Sequence, residues 1–134
     1  MPTIFTRIIE GELPGRFVWR DDRCVAFLSI APLRPGHTLV VPIAEVDHWL
    51  DLEADLAAHL MLVAHAVGNA QMAAFSPARV GLIIAGLEVP HCHLHVVPID
   101  SEADLSFARA DTNPSADSMD AAAEAIRAAL GADA

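Results

Sequence analysis

The chain has 134 residues, of which 54% are hydrophobic and 19% charged, and its formal net charge is −10. This composition excludes a disordered chain and fits a globular protein large enough to bury its own core. The acidic balance argues against non-specific binding to DNA or RNA, which needs clustered Lys and Arg. One local pocket can still bind a small phosphorylated ligand.

The reactive side chains are restricted to a few types. All eight basic residues are arginine, and the chain contains neither lysine nor tyrosine. Schiff-base chemistry and the Walker phosphate loop both need a lysine amine, so both are excluded. Any catalysis therefore falls to His, Cys, Ser or carboxylates. Cys24 and Cys92 form neither a Cys-x-x-Cys pair nor a disulfide framework, and we interpret them as reduced core thiols of a cytoplasmic protein.

Strands and helices alternate with short connections. The predicted elements are, in chain order, a short helix at 3–10, hairpin strands at 17–20 and 24–28, a loop at 31–37, a strand at 38–42, a long helix from 51 to about 75, strands at 79–84 and 91–99, and a terminal helix at 119–130. Gly11 and Pro14 end the first helix. This order favours an α+β fold with an antiparallel sheet of about five strands. We expect a single domain over 1–134, with a core at about 3–100 and a C-terminal extension at 101–134.

The long helix carries two apolar stripes. The first consists of Leu52, Leu56, Leu60, Val63 and Val67, and the second of Met61, His65, Gly68 and Met72. A helix without charge from Leu56 onward is expected to bury two sides, one against a sheet and one against a second subunit. This favours a twofold homodimer, and a packed C-terminal segment is the competing explanation. The uncharged stretch 56–78 is long enough to span a membrane, but its His, Asn, Gln and Pro residues indicate a buried soluble helix and no membrane partner.

The sequence HCHLHVVP at 91–98 places His91, His93 and His95 on alternate positions. On a strand these three would share one face, about 6.5–7 Å apart, and the residues between them would point to the other, apolar face. Three interpretations are open at this point. The histidines are structural and hydrogen-bonded, or they hold zinc with one open coordination position, or a neutral imidazole attacks phosphorus as a nucleophile.

The run also matches the histidine-triad signature, His-x-His-x-His followed by apolar residues. Three further segments resemble the same family: TIFTRIIEGELP at 3–14, DDRCVAFLSIAP at 21–32 and PGHTLVVP at 35–42. The chain thus resembles the histidine triad (HIT) superfamily of nucleotide hydrolases and transferases, and in particular bacterial HIT or Hint-like proteins. The resemblance implies the HIT fold, with a short N-terminal helix, one long central helix and a C-terminal helix.

The resemblance also implies a role for each histidine. The family's middle histidine attacks the α-phosphate of a nucleotide derivative and forms a covalent nucleotidyl-histidine that water then resolves, and this role falls on His93. His95 would contact phosphate oxygens or the leaving group, and His91 would order the site. His37 would approach from the neighbouring strand; without the resemblance it reads equally well as a turn-end histidine.

The resemblance also implies a binding site for a purine base. The apolar positions implied by the resemblance are Ile4, Phe5, Ile8, Leu13, Phe27 and Ile30. Each is also a suitable core residue, which is the better interpretation for Ile8 and Leu13. Ser29 stands where the family usually has an acidic or amide residue for the ribose hydroxyls, so we expect a weaker hydrogen bond to the ribose.

The segment before the triad, IIAGLEVPH at 83–91, departs from the family pattern. Ala85 stands at the position of an asparagine, and Leu87 and Glu88 replace a polar pair directed at the phosphate or leaving group. Gly86 still permits close approach of the backbone. The Glu88 carboxylate would repel a phosphate unless it is protonated, turned away or paired with a cation, and otherwise it is a solvated loop charge.

Many bacterial members carry a structural zinc held by an N-terminal Cys-x-x-Cys and further histidines. Here Thr3 and Thr6 stand at the cysteine positions, and Glu45 lies near the usual histidine. We therefore predict no structural zinc, no metal in the site and no cofactor. We expect the remaining histidines to be helix or surface residues rather than ligands, namely His48, His59 and His65.

The resemblance thus predicts an enzyme of the nucleotide phosphoramidase or dinucleoside polyphosphate hydrolase type. It would cleave at the α-phosphate of a purine nucleotide or nucleotide conjugate through His93. One alternative is a nucleotide-binding or regulatory protein with little turnover, suggested by Ala85, Leu87 and Glu88. Another is a metal-dependent hydrolase that uses the triad as ligands.

Overall fold

The computed structural model describes residues 2–131, which fold as an α+β structure. Its main elements are helices α1 (Ile4–Ile9), α2 (Ala54–Phe75) and α3 (Ala116–Leu130) and strands β1 (Phe17–Arg20), β2 (Cys24–Leu28), β3 (Thr38–Pro42), β4 (Arg79–Ile83) and β5 (Leu94–Ile99). Short 3-10 helices lie at Trp49–Asp51, Glu102–Leu105 and Phe107–Arg109. The predicted architecture of three helices and a five-stranded antiparallel sheet is confirmed.

The strands form one sheet in the order β1-β2-β3-β5-β4, and every neighbouring pair is antiparallel. The central β3–β5 pair sets Thr38 opposite Val96 and Leu39 opposite His95. This register places the loop that ends at His37 directly beside the last histidine of the triad. Two strands distant in sequence therefore build one site.

Helices α2 and α3 cover one face of the sheet. Leu94 and Val96 of β5 pack there among the apolar residues of both helices. Helix α3 is amphipathic and buries Met119, Ala122, Ala123 and Ile126. The structure therefore provides a packed C-terminal segment against α2, the explanation that competed with a second subunit. None of the described helices is both long and apolar enough to cross a membrane.

The opposite face of the sheet is covered by α1 and, over Val97 and Ile99 of β5, by Leu33 and the chain near Leu105. Phe5 and Ile8 of α1 pack on a small apolar cluster from β2 and β3. Thr3 caps the helix, since its hydroxyl accepts a hydrogen bond from the Thr6 amide at 3.1 Å. These short segments do not cover the whole face, and a cavity stays open beside α1.

Several predicted boundaries were wrong by a few residues. The last strand begins at Leu94 and not at His91, because the preceding chain leaves the sheet: the amide of Cys92 donates to the Val46 carbonyl at 2.7 Å. Helix α3 begins at Ala116 and not at Met119, since the Ser115 hydroxyl caps it. Helix α2 begins at Ala54 and not at Asp51, and β4 ends at Ile83, one residue early.

Candidate active site

His37 and His95 form a hydrogen-bonded pair inside the protein. The amide of Leu33 donates to His37 Nδ1 at 3.0 Å. A backbone amide can only donate, so Nδ1 carries no proton and the neutral ring is protonated on Nε2. That Nε2–H donates to His95 Nδ1 at 2.9 Å. The single proton of neutral His95 therefore lies on Nε2, where the ring serves as a hydrogen-bond donor.

His93 is fixed in the opposite tautomer. Its Nδ1 lies 2.8 Å from the carbonyl oxygen of His91, and a carbonyl accepts, so the proton is on Nδ1. The neutral ring then keeps a free lone pair on Nε2. The His93 and His95 rings meet edge to face with centroids 4.7 Å apart. His93 thus offers a nucleophilic nitrogen, Nε2, and the neighbouring His95 offers an N–H donor.

His91 is buried and holds the backbone that orients His93. Its Nε2 donates to the Pro42 carbonyl at 2.7 Å. Its Nδ1 lies 2.6 Å from the Thr3 hydroxyl, which has its own proton to donate because its oxygen already accepts from the Thr6 amide. The carbonyl of His91 is the group that His93 binds. His91 therefore acts through its neighbours and does not face the cavity.

Burial keeps these imidazoles neutral. Burial, together with the neighbouring His95 and His93, lowers the pKa of His37 to about 3. Burial and His93 lower the pKa of His95 to about 4. Burial likewise lowers the pKa of His93, although its bond to the His91 carbonyl opposes the shift. The lone pair of His93 is therefore available at neutral pH.

A cavity of about 670 Å³ opens in front of this pair. His93 and His95 lie on its wall, and α1 and β2 supply about half of the apolar lining. The predicted nucleotide-binding residues that line it are Ile4, Phe5, Ile8, Phe27, Ser29, Ile30 and Glu88. The Ser29 oxygen accepts from the Ala31 amide at 3.2 Å, so its hydroxyl proton stays available to a ligand. The size and apolar walls suit a small ligand with a flat ring.

A second cavity of about 140 Å³ adjoins the first at the same two histidines. Glu88 lines both cavities. The remaining wall comes from the loop before the triad, including Gly86, and from Phe107 of the C-terminal extension. The Phe107 ring meets the His95 ring with centroids 5.1 Å apart. His93 and His95 therefore stand at the junction of a large and a small cavity.

The structure does not bring every predicted residue to the cavities. His37 and His91 are buried behind them and line neither, so they position other groups and do not meet a ligand directly. Leu13 packs at the edge of the α1 cluster and is absent from the described lining, which agrees with its interpretation as a core residue. Gly86 lines only the small cavity, where its φ of +78° requires glycine.

Sequence reasoning missed several residues of the site, among them Arg16, Asp120, Phe107 and Thr3. Arg16 and Asp120 line the large cavity and form an ion pair at 2.7 Å. Phe107 lines the small cavity, and Thr3 holds His91. The partners of Arg16 and Thr3 lie 104 and 88 residues away in sequence, so no local pattern could have identified them.

The zinc position expected in many family members holds a hydrogen-bonded cluster instead. The Thr3 amide donates to Glu45 Oε1 at 2.7 Å, and the Thr3 hydroxyl is taken by His91 and Thr6. Both nitrogens of His91 are engaged. Hydroxyls are poor zinc ligands beside thiolates and imidazoles, so these residues do not fit a zinc ion.

Comparisons with known proteins agree with this geometry. The family model of the HIT domain matches residues 10–102. An uncharacterized HIT-like protein of Saccharolobus solfataricus is 35% identical over 104 residues, which cover 74% of this chain and 75% of that protein. The chain belongs to the histidine triad (HIT) family.

Solved structures show the same fold. A hypothetical histidine triad nucleotide-binding protein from Sulfolobus tokodaii matches with a TM-score of 0.83 at 27% identity, over 94% of this chain and 90% of that chain. A Zn-bound histidine triad family protein from Mycobacterium smegmatis matches with a TM-score of 0.82 at 26% identity, over 95% and 91%.

Proposed function

We propose that this protein binds a purine nucleotide derivative and cleaves a bond at its α-phosphate through a covalent nucleotidyl-His93 intermediate. The observation that carries the proposal is the fixed tautomer of His93, whose free Nε2 lone pair lies at the junction of two cavities. The Sulfolobus tokodaii relative, named as a nucleotide-binding protein, supports a nucleotide as the ligand. The base would lie in the large cavity and the leaving group in the small one.

The reaction follows from the two tautomers. His93 Nε2 attacks the α-phosphorus, a P–N bond forms, and the bond from phosphorus to the leaving group breaks. His95 Nε2–H donates to a phosphate oxygen or to the leaving group as negative charge develops there. Water then attacks the phosphorus, and the P–N bond breaks to release the nucleotide and free His93. The His37 Nε2–H holds His95 in the tautomer that this step needs.

The small cavity favours a leaving group without negative charge. Leu87 is 95% exposed at its edge, Phe107 and Ala85 add apolar surface, and Glu88 adds a carboxylate. No arginine is among the described residues that line this cavity, and its two histidines are neutral. An amine-linked nucleotide therefore fits better than a dinucleoside polyphosphate, whose leaving group is a polyphosphate.

The decisive experiment is a search for the adduct. We would mix the protein with an AMP phosphoramidate of an alkyl amine, quench with denaturant and measure the intact mass. The expected result is a protein carrying one nucleotidyl group. His93→Ala should show neither adduct nor turnover, and the matched control His48→Ala, at an exposed histidine away from the cavities, should show both. Turnover by His93→Ala would contradict the proposal.

A nucleotide-binding protein with little turnover is the second candidate. The loop at 85–88 favours it, since Ala85 and Leu87 offer no side-chain donor to a phosphate. AMP binding measured by calorimetry, together with no turnover of phosphoramidate or dinucleotide, would select this candidate. The hydrogen bonds argue against the triad as a metal site, because His91 and the Nδ1 atoms of His93 and His95 are already engaged.

We also propose that the chain forms a homodimer through α2 and β4. Met61, Met72 and Leu82 expose apolar surface around a shallow cavity of about 240 Å³. Strand β4 lies at the edge of the sheet, so its outer backbone groups are free to pair. Light scattering should give twice the chain mass, and Met72→Glu should give monomers. A monomeric wild-type protein would contradict this assembly.

A further inference from the structure

The turn between β1 and β2 and the first half of α2 bring Asp21, Cys24 and His59 together, away from the cavities that contain the triad. One ligand atom from each residue lies within 4.8 Å of the other two. Asp21 Oδ2 is 2.7 Å from His59 Nε2 and 3.7 Å from Cys24 Sγ. We propose that these three side chains form a binding site for a zinc ion.

The donor set fits zinc in particular. Thiolate, imidazole and carboxylate are the three ligand types that zinc uses, whereas magnesium and calcium take oxygen ligands. Zinc binds sulfur at about 2.3 Å and nitrogen at about 2.0–2.1 Å, so two ligands of one tetrahedral ion lie about 3.3–3.6 Å apart. The observed separations therefore need only small side-chain movements. A water molecule would complete a tetrahedral site.

The surrounding structure holds the ligands in place. Asp21 Oδ1 accepts from the amides of Arg23 and Cys24, each at 2.8 Å. Asp21 Oδ2 accepts from Trp19 Nε1 at 2.8 Å, and this bond fixes the orientation of the carboxylate. Cys24 begins a paired strand and His59 lies within a long helix. Ligands on rigid elements with oriented carboxylates make a preorganised metal site.

The site is open on one side and closed on the other. Cys24 is fully buried, whereas the side chains of His59 and Asp21 are 23% and 24% exposed. An ion would enter from the exposed side, with the thiol at the floor. On binding, the Cys24 thiol loses its proton to solvent, and the proton of His59 moves from Nε2 to Nδ1. Thiolate and carboxylate then match the two positive charges of the ion.

This site is separate from the proposed chemistry at His93. None of the three residues belongs to the described lining of either triad cavity. A zinc ion here would join the β1–β2 turn to α2 and stabilise the fold. The inference therefore does not depend on the proposed nucleotide function. It also changes the expectation for His59, which the sequence predicted to be a helix or surface residue.

Cobalt is a suitable probe, because a thiolate ligand gives a charge-transfer absorption in the near ultraviolet. We would treat the full chain with chelator, titrate it with Co²⁺ and then displace the cobalt with Zn²⁺. We expect the absorption to saturate at one equivalent and to vanish on adding zinc. Cys24→Ala should abolish it, and the matched control Cys92→Ala, at the other buried cysteine, should retain it.

A second pair of variants tests the site independently, in case Cys24→Ala does not fold. His59→Gln changes a partly exposed side chain and should lower zinc affinity by at least about tenfold in a competition assay. His65→Gln, an exposed histidine one and a half turns further along α2, should leave the affinity unchanged. The proposal is overturned if wild-type protein gives no thiolate absorption, if the absorption survives in Cys24→Ala, or if His59→Gln binds zinc as tightly as His65→Gln.

Discussion

The two faces of the sheet are built for different purposes. Helices α2 and α3 seal one face, where Val96 and Ile126 belong to one continuous apolar cluster. The other face carries the six residues of α1 and a small cluster of Leu33 and Leu105 over Val97 and Ile99, and beside α1 lies the cavity with His93 and His95. Two long helices can exclude water from a whole face, whereas these short segments leave a cavity. The largest apolar core and the candidate site therefore lie on opposite sides of the same strands.

The largest effect is expected when an isoleucine is shortened to alanine on each face of the sheet and the two variants are compared. Ile126 is fully buried under α2, so Ile126→Ala should lower the free energy of unfolding by about 2–5 kcal/mol. The kcat of the folded fraction should remain unchanged. Urea unfolding and steady-state kinetics measure the two quantities.

The matched truncation on the open face is Ile4→Ala. Ile4 is 45% exposed at the cavity, so the variant should lose less than about 1 kcal/mol of stability. Its KM should rise because an apolar contact with the ligand is lost. Its kcat should change little because His93 and His95 are unaffected. If both truncations changed kcat and stability alike, the two faces would not be separable.

A smaller effect is expected for the buried residue that binds His95 from behind the cavity. His37→Leu removes the donor that fixes the His95 tautomer, and misplaced catalytic groups cost about 10- to 100-fold in kcat. KM should change little, since His37 does not face the cavity. Nitrogen-15 NMR of His95 should show mixed tautomers in the variant and a single Nε2–H form in the wild type. A single tautomer in the variant would assign His37 a purely structural role.

The open face should also set the acid stability. The folded-state pKa values of His37 (about 3) and His95 (about 4) lie below the value of 6.5 for free histidine. The unfolded chain therefore binds more protons between these values. The stabilisation is complete above pH 6.5 and is lost as the pH falls towards 4, by up to about 1.4 kcal/mol per pH unit for each group. Urea unfolding between pH 7.5 and 5 measures the slope, which His37→Leu should reduce; a flat profile in the wild type would contradict the assignment.

The smallest effect is expected at the attachment of α1. Thr3→Val removes the hydroxyl that caps the helix and donates to His91, and it should cost about 1 kcal/mol of stability. The kcat should fall by less than about tenfold, because His91 keeps its bond to Pro42. Thr3→Ser keeps the hydroxyl and should restore both quantities. Failure of serine to restore them would show that the methyl packing of Thr3 matters more than its hydrogen bonds.

Local patterns predicted most of the elements and several residues that line the two cavities. The alternation of side chains along a strand predicted Leu94 and Val96 on one face and His95 on the other. The structure has Leu94 and Val96 on the helix side, as predicted. The same rule extended the strand too far at its start. His91 and His93 precede β5 because a backbone carbonyl and Thr3 bind the His91 ring, and neither partner is local in sequence.

The sequence by itself determined the elements, their apolar faces and the chemistry available, since without lysine or tyrosine imidazole is the prominent candidate. The tertiary structure alone decided how each histidine is protonated. A tautomer is set by the donor or acceptor on the other ring nitrogen, and those partners come from Leu33, Pro42 and Thr3. It likewise decided that Asp21 and Cys24 meet His59 across 35 residues or more of chain. Hydrogen bonds and metal sites depend on distances in space, which spacing along the chain does not specify.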